Sequence, residues 1–171
     1  MLSQKMTDAI NEQINAELYS GYLYMSMAAY FEDLQLPGCA HWMTVQSQEE
    51  MTHALRLYKH LIDRGGRALM KPIEGPETEW DSPLACFQAV AEHEAKVTSL
   101  INGLMSLARE ENDFASESFL HWFVNEQVEE EASAAEVVGK IKMVEQTQGG
   151  LYMLDTEMAA RVFTMPPDLT I

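Results

Sequence analysis

Glu50 and His53 stand three positions apart in the stretch QEEMTH, residues 48–53, on a stripe that should be apolar if the segment is a helix packed against others. Comparable interruptions occur at Glu17, at Glu94, and at Gln127 with Glu130. Buried together without a counter-charge, four carboxylates repel and desolvate one another, so they must take up protons or find cations. Two divalent ions would bring four positive charges against four negative ones. Oxygen donors with one imidazole suit iron or manganese better than a thiolate-loving ion. The reading places a first metal with Glu17, Glu50 and His53, and a second with Glu50, Glu94 and Glu130, with Gln127 nearby. With one imidazole the two positions are not equivalent, and the second should bind more weakly, as suits a place that metal passes through.

The elements that must position these residues are helices. Leu36, Pro37 and Gly38 punctuate a first boundary, Gly65 to Pro83 a long second one, Asn112 and Asp113 a short third, and Gly149 with Gly150 a fourth. Between them lie four helix-prone blocks, at about 7–34 (starting somewhere from 3), 38–64, 82–111 and 114–146. A short fifth helix follows at about 151–162, and residues 164–171 read as a loose tail. Each long block carries a 4,3-spaced row, such as Ile10, Ile14, Glu17, Gly21, Tyr24, Ala28 and Phe31, or Cys39, Met43, Gln46, Glu50, His53 and Leu57.

The interruptions agree in height. From a turn near residue 36, Glu17 lies 19 residues back, while Glu50 and His53 lie 14 and 17 forward. From a turn near 112, Glu94 lies 18 back, and Gln127 and Glu130 lie 15 and 18 forward. The segment from about 66 to 81 is long enough, at up to roughly 3.3 Å per residue, to span a whole helix. The expected fold is therefore all-α: one domain over residues 1–171, an antiparallel four-helix bundle over about 5–146, a long crossover between the second and third helices, and a short fifth helix.

Bulk properties narrow the function. A chain of 171 residues with 47% apolar content suits one core, and a formal charge of −16 excludes nucleic acid or an anionic membrane as partners while favouring cations. The N-terminus lacks the apolar region of a signal peptide, and no apolar run reaches membrane-spanning length, so a cytoplasmic protein is expected. Cys39 and Cys86 fall outside any C-x-x-C motif and read as buried thiols.

One glutamate from each of two helices plus Glu-x-x-His motifs from the others is the pattern of ferritin-like di-iron proteins. Together with the blocks NEQINAELYSGYLY, QSQEEMTHALRLYKHL, FVNEQVEEE and GGLYMLD, it makes the chain resemble the ferritins, specifically the non-haem prokaryotic type, to about residue 163. The resemblance implies a cage of twenty-four such subunits, in which Fe(II) is oxidised by dioxygen or peroxide at a di-iron ferroxidase centre and stored as a ferric mineral. It also implies a third iron site built from Glu49, Glu126 and Glu129 with Glu130, and gives Tyr24 a redox role beside the centre. The chain departs from the wider di-iron pattern at Gln127-x-x-Glu130, where a second Glu-x-x-His would stand. Haem-binding relatives place a methionine where Met51 is, but they also carry that second motif, so no haem is expected. A substrate-oxidising di-iron enzyme and a purely structural bundle are the rival readings. Trp122 reads as packing, and His41, His60, His93 and His121 have no partner at ligand spacing and are expected on surfaces or contacts.

Overall fold

The computed structural model describes residues 2–169. Its elements are α1 (Gln4–Asp33), α2 (Pro37–Asp63), α3 (Pro83–Glu110), α4 (Phe114–Val144) and α5 (Gly150–Met158), then a 3-10 turn at Pro167–Leu169, with no strand among the described residues. The starts follow from local chemistry. Ser3, Ser82 and Asp113 accept hydrogen bonds from the backbone N–H of Met6, Ala85 and Ser116, and α2 and α3 open on proline, whose missing N–H costs nothing there.

The first three helices end the same way. The N–H of Leu36, Gly66 and Asp113 bonds back to the carbonyl of Phe31, Leu61 and Ala108, at 3.0, 2.8 and 2.8 Å. The residue before each, Gln35, Gly65 or Asn112, adopts a left-handed conformation with φ of 58°, 77° or 56°. These are Schellman caps, and glycine or asparagine is the usual occupant of the left-handed position. Gln35 fills it without either advantage.

Two antiparallel hairpins result, α1 with α2 and α3 with α4, and the crossover sets one on the other. It climbs α1 from end to end. The Asn11 amide donates to the Arg67 carbonyl and its oxygen accepts from the Leu69 N–H, Ser26 donates to the Glu77 carbonyl, and Trp80 meets Tyr30 edge-on at 5.2 Å. Hence α3 starts at the end where α1 finishes and runs back along it: Ser20 faces His93, and Lys5 reaches Glu110. No helix among the described residues is long and apolar enough to cross a membrane.

The apolar core falls into two clusters. One holds Tyr24, Met27, Phe31, Met43, Phe87 and Ile141; the other holds Met6, Ile10, Leu57, Ile101, Leu120 and Phe123. The polar layer lies between them. Cys39 and Cys86 are buried free thiols, as expected, and burial pushes the Cys39 thiol up to about 12. Gly21 brings α1 close to α2, since a Cβ there would lie 3.4 Å from the Ser47 carbonyl oxygen and 3.6 Å from the Glu50 Cβ.

At the far end α5 caps α2. The Asp155 carboxylate accepts from the Cys39 N–H at 2.8 Å, in place of the side-chain cap that Leu36 does not supply. Gly38 makes the approach possible, because a Cβ would fall 1.7 Å from the Asp155 carbonyl oxygen. The helix ends at Met158, short of the 162 expected. Beyond it the Arg161 guanidinium stacks over Trp42 and bonds Glu49, and the His41 ring bonds the Arg161 carbonyl, which draws the chain away from the helical path. Of the expected loose tail 164–171, Leu169 is buried, while residues 170 and 171 lie outside the described residues.

The caps give a paired test of stability. Gln35→Gly should stabilise the fold by up to about 1 kcal/mol and Gly65→Ala should destabilise it by about as much, read from thermal or denaturant unfolding. Equal and unchanged midpoints for the two variants would refute the assignment of backbone strain to position 35.

Candidate metal centre

One buried carboxylate from each of the four long helices reaches the layer between the core clusters: Glu17, Glu50, Glu94 and Glu130, joined by His53 and Gln127, all between 1 and 6% exposed. Four stripes interrupted at equal height do meet. An oxygen of Glu17, an oxygen of Glu50 and a ring nitrogen of His53 lie within 4.8 Å of one another, a spacing able to hold a metal ion. The His53 Nδ1 is 3.1 Å from Glu50 Oε2.

The second expected set is held more openly. The Tyr24 hydroxyl donates to Glu94 Oε1, and the Gln127 amide lies 3.3 Å from Glu94 Oε2 and 3.2 Å from the Thr98 hydroxyl. Gln46 donates to Glu130 Oε2 at 2.7 Å and to Glu50 Oε1 at 3.2 Å, so one amide ties two carboxylates together. Gln13 holds Glu17 Oε1 at 2.9 Å, whereas Glu17 Oε2 is buried with no hydrogen-bond partner. A buried carboxylate oxygen without a donor must either carry a proton or serve as ligand to a cation.

The electrostatics say the same. Burial, then the neighbouring Glu50, pushes Glu17 up to about 8; burial, then Glu94, pushes Glu130 up to about 7. Glu50 is raised well above the usual carboxylate range by burial and by Glu94 and Glu130, and Glu94 is raised chiefly by burial. The Tyr24 hydroxyl, buried against Glu94 and Glu50, is held strongly protonated. The Gln13, Gln46 and Gln127 amides and the Tyr24 phenol donate hydrogen bonds to these four acids, and the His53 ring lies against Glu50.

A second group adjoins the first. Ligand atoms of His53, Glu126 and Glu130 also come within 4.8 Å of one another, with the His53 Nε2 at 3.9 Å from Glu126. Glu49 lies beside it, feeling both His53 and Glu126, with its carboxylate bonded to Arg161. Glu129 is exposed and joins neither group. Trp122 packs edge-on to His53 at 5.5 Å and beneath the Arg56 guanidinium.

Sequence reasoning missed several partners. Gln46 stood in the 4,3-spaced row four residues before Glu50, and that position was its signal; Gln13, four before Glu17, stood outside the row. His93, expected on a surface or a contact, makes contacts: it is half-buried, bonds Ser20 at 2.8 Å, and meets the Tyr24 ring edge-on at 6.0 Å. His60 stacks on Phe119 and contacts Ser116. The acids at the α3–α4 turn are tied up in pairs, Glu110 with Lys5, Asp113 with Arg64 and Glu117 with Arg109.

Comparison with known proteins agrees with this geometry. A family model described as a ferritin-like domain matches residues 7–144. The bacterial non-heme ferritin of Bacteroides fragilis (strain 638R) is 45% identical over 161 residues, covering 94% of this chain and 100% of its own. That of Staphylococcus saprophyticus is 38% identical over 163 residues, covering 95% and 98%. Among solved structures, an open pore ferritin from the hyperthermophilic archaeon Archaeoglobus fulgidus superimposes with a TM-score of 0.94 at 48% identity, covering 95% of this chain and 100% of its own. A four-helix subunit with acids from every helix meeting at one level, matched over nearly its whole length by these proteins, belongs to the ferritin family.

Proposed function

We propose that the protein is an iron-storage ferritin whose buried carboxylate layer binds Fe(II) as substrate, passes its electrons to an oxidant and releases Fe(III) into the interior of a multi-subunit cage. The observation that carries this reading is the meeting of four buried carboxylates around one imidazole. Kinship with the bacterial non-heme ferritins supports it.

Glu17, Glu50 and His53 hold the first iron, and Glu50, Glu94 and Glu130 hold the second, with Gln127 beside it. Glu50, central to both sets, bridges. Two Fe(II) ions give up one electron each. One dioxygen accepts the two electrons with two protons to become hydrogen peroxide, or one peroxide accepts them with two protons to become two waters. Tyr24, whose hydroxyl bonds Glu94, is the redox-active side chain of this reading. A third iron is held by Glu126 and Glu130 with Glu49. The assembly is a cage of twenty-four subunits, and sizing the purified protein tests that number directly.

Glu50→Ala should reduce Fe(II) oxidation by more than the roughly 10- to 100-fold typical of losing an outer partner, followed by absorbance after an oxygen pulse to anaerobically loaded protein. Wild-type protein should then grow mineral. A permanent stoichiometric di-iron species with no mineral growth would favour a substrate-oxidising enzyme instead.

The raised acids also fix a pH dependence. Carboxylates whose folded pKa exceeds the unfolded 4.5 make the folded state bind more protons than the unfolded one. Stability of the metal-free protein must therefore fall as pH rises from about 5 to about 8, by about 1.4 kcal/mol per pH unit for each proton lost. Zn(II) should flatten the slope and release protons on binding, more below pH 7 than above pH 8. Melting temperatures at several pH values, with and without Zn(II), check both signs; a metal-free Tm that rises across the window contradicts them.

A further inference from the structure

Arg161 stands at the edge of the centre, outside the groups of ligand atoms. It follows α5, yet its guanidinium bonds Glu49 on α2, a carboxylate that neighbours His53 and Glu126. Two further contacts hold it there. The guanidinium lies 4.3 Å over the Trp42 ring, the Arg161 carbonyl meets the His41 ring at 2.8 Å, and the side chains of Arg161 and Glu49 are only 20 and 27% exposed. Its Nη1 is buried without a hydrogen-bond partner among the described residues, so the planar fork is only half used.

We propose that Arg161 is a built-in competitor for the third metal, its guanidinium holding the Glu49 carboxylate until a metal ion at Glu126 and Glu130 displaces it. The proposal rests on the reading of Glu49, Glu126 and Glu130 as a third metal-binding group. A carboxylate oxygen shared with a guanidinium donor is a poorer ligand to a divalent ion, because its lone pairs and charge are already engaged. Metal binding at that group therefore includes the breaking of an ion pair, and its affinity is lowered by what the pair is worth. The side chain has somewhere to go: a cavity of about 270 Å³ beside it is lined by Trp42, Ser133, Glu136, Lys140 and Glu157. Glu136 and Glu157 share a single ammonium there, that of Lys140, so two carboxylates against one cation leave a net negative charge toward a displaced guanidinium. The effect is to keep the third position weaker than the first two, so that metal there moves on.

Zn(II), titrated calorimetrically into the metal-free assembled protein, tests this on the wild type beside R161Q, R161K and E49Q. In R161Q the first two equivalents should bind as in the wild type and the third about 3- to 10-fold more tightly. R161K, which keeps the charge without the planar fork, should fall between them, and E49Q should weaken or lose the third equivalent. An unchanged third affinity in R161Q, with E49Q still removing that equivalent, overturns the role of Arg161 and leaves the third group standing. No third equivalent in either wild type or R161Q removes the third group and this role together. Should R161Q fail to assemble, R161K decides: a tighter third equivalent supports the competition, and an unchanged one overturns it.

Discussion

Uncompensated negative charge in a dry interior is the constraint around which this subunit is organised. Glu17, Glu50, Glu94 and Glu130 come from four different helices, and each is made harder to ionise by its burial and by neighbouring acids. Ordinary packing would exclude such a layer, because four carboxylates share their burial with a single imidazole. The fold tolerates it by enclosing it between two apolar clusters that close the bundle on either side. Neutral amides from Gln13, Gln46 and Gln127 orient the carboxylates without cancelling their charge, which leaves that task to a cation.

The two proposed metal sets differ in how much of their geometry exists in advance. Glu17, Glu50 and His53 lie in one hairpin, already drawn together where Gly21 lets α1 and α2 approach. Glu94 and Glu130 belong to the other hairpin and are engaged by Tyr24 and Gln46. A metal entering the first set finds a carboxylate oxygen with no partner, whereas one entering the second has to compete with hydrogen bonds already made. That difference, together with the single imidazole, is a physical basis for unequal affinity.

Much of this was legible in the residues alone. The 4,3-spaced rows and the matched heights of their interruptions specified four helices, their antiparallel pairing and the six residues of the layer, since periodicity and helix rise leave little freedom once turns are located. Contacts carried by less regular parts of the chain were not legible. Gln35 takes a left-handed cap although its type does not announce one, and only the bond from Leu36 to Phe31 reveals it. Arg161 reaches Glu49 across 112 residues of sequence through a segment with no period to read. His93 looked unpartnered because its partner, Ser20, belongs to another helix and carries no metal-ligand signature. Glu126 and Glu129 were equivalent by spacing, yet the rotation of α4 turns one toward His53 and leaves the other in solvent.

The docking of Asp155 onto the start of α2 has a mechanical side. With Gly38 leaving no clearance and the carboxylate gripping the Cys39 amide, α5 and the first turn of α2 behave as one solid piece. A helix is a stiff rod, and Glu50 sits only about 18 Å farther along this one. A push or twist delivered to the short C-terminal helix is thus levered directly onto the segment bearing Glu49, Glu50 and His53, rather than being absorbed in a slack joint.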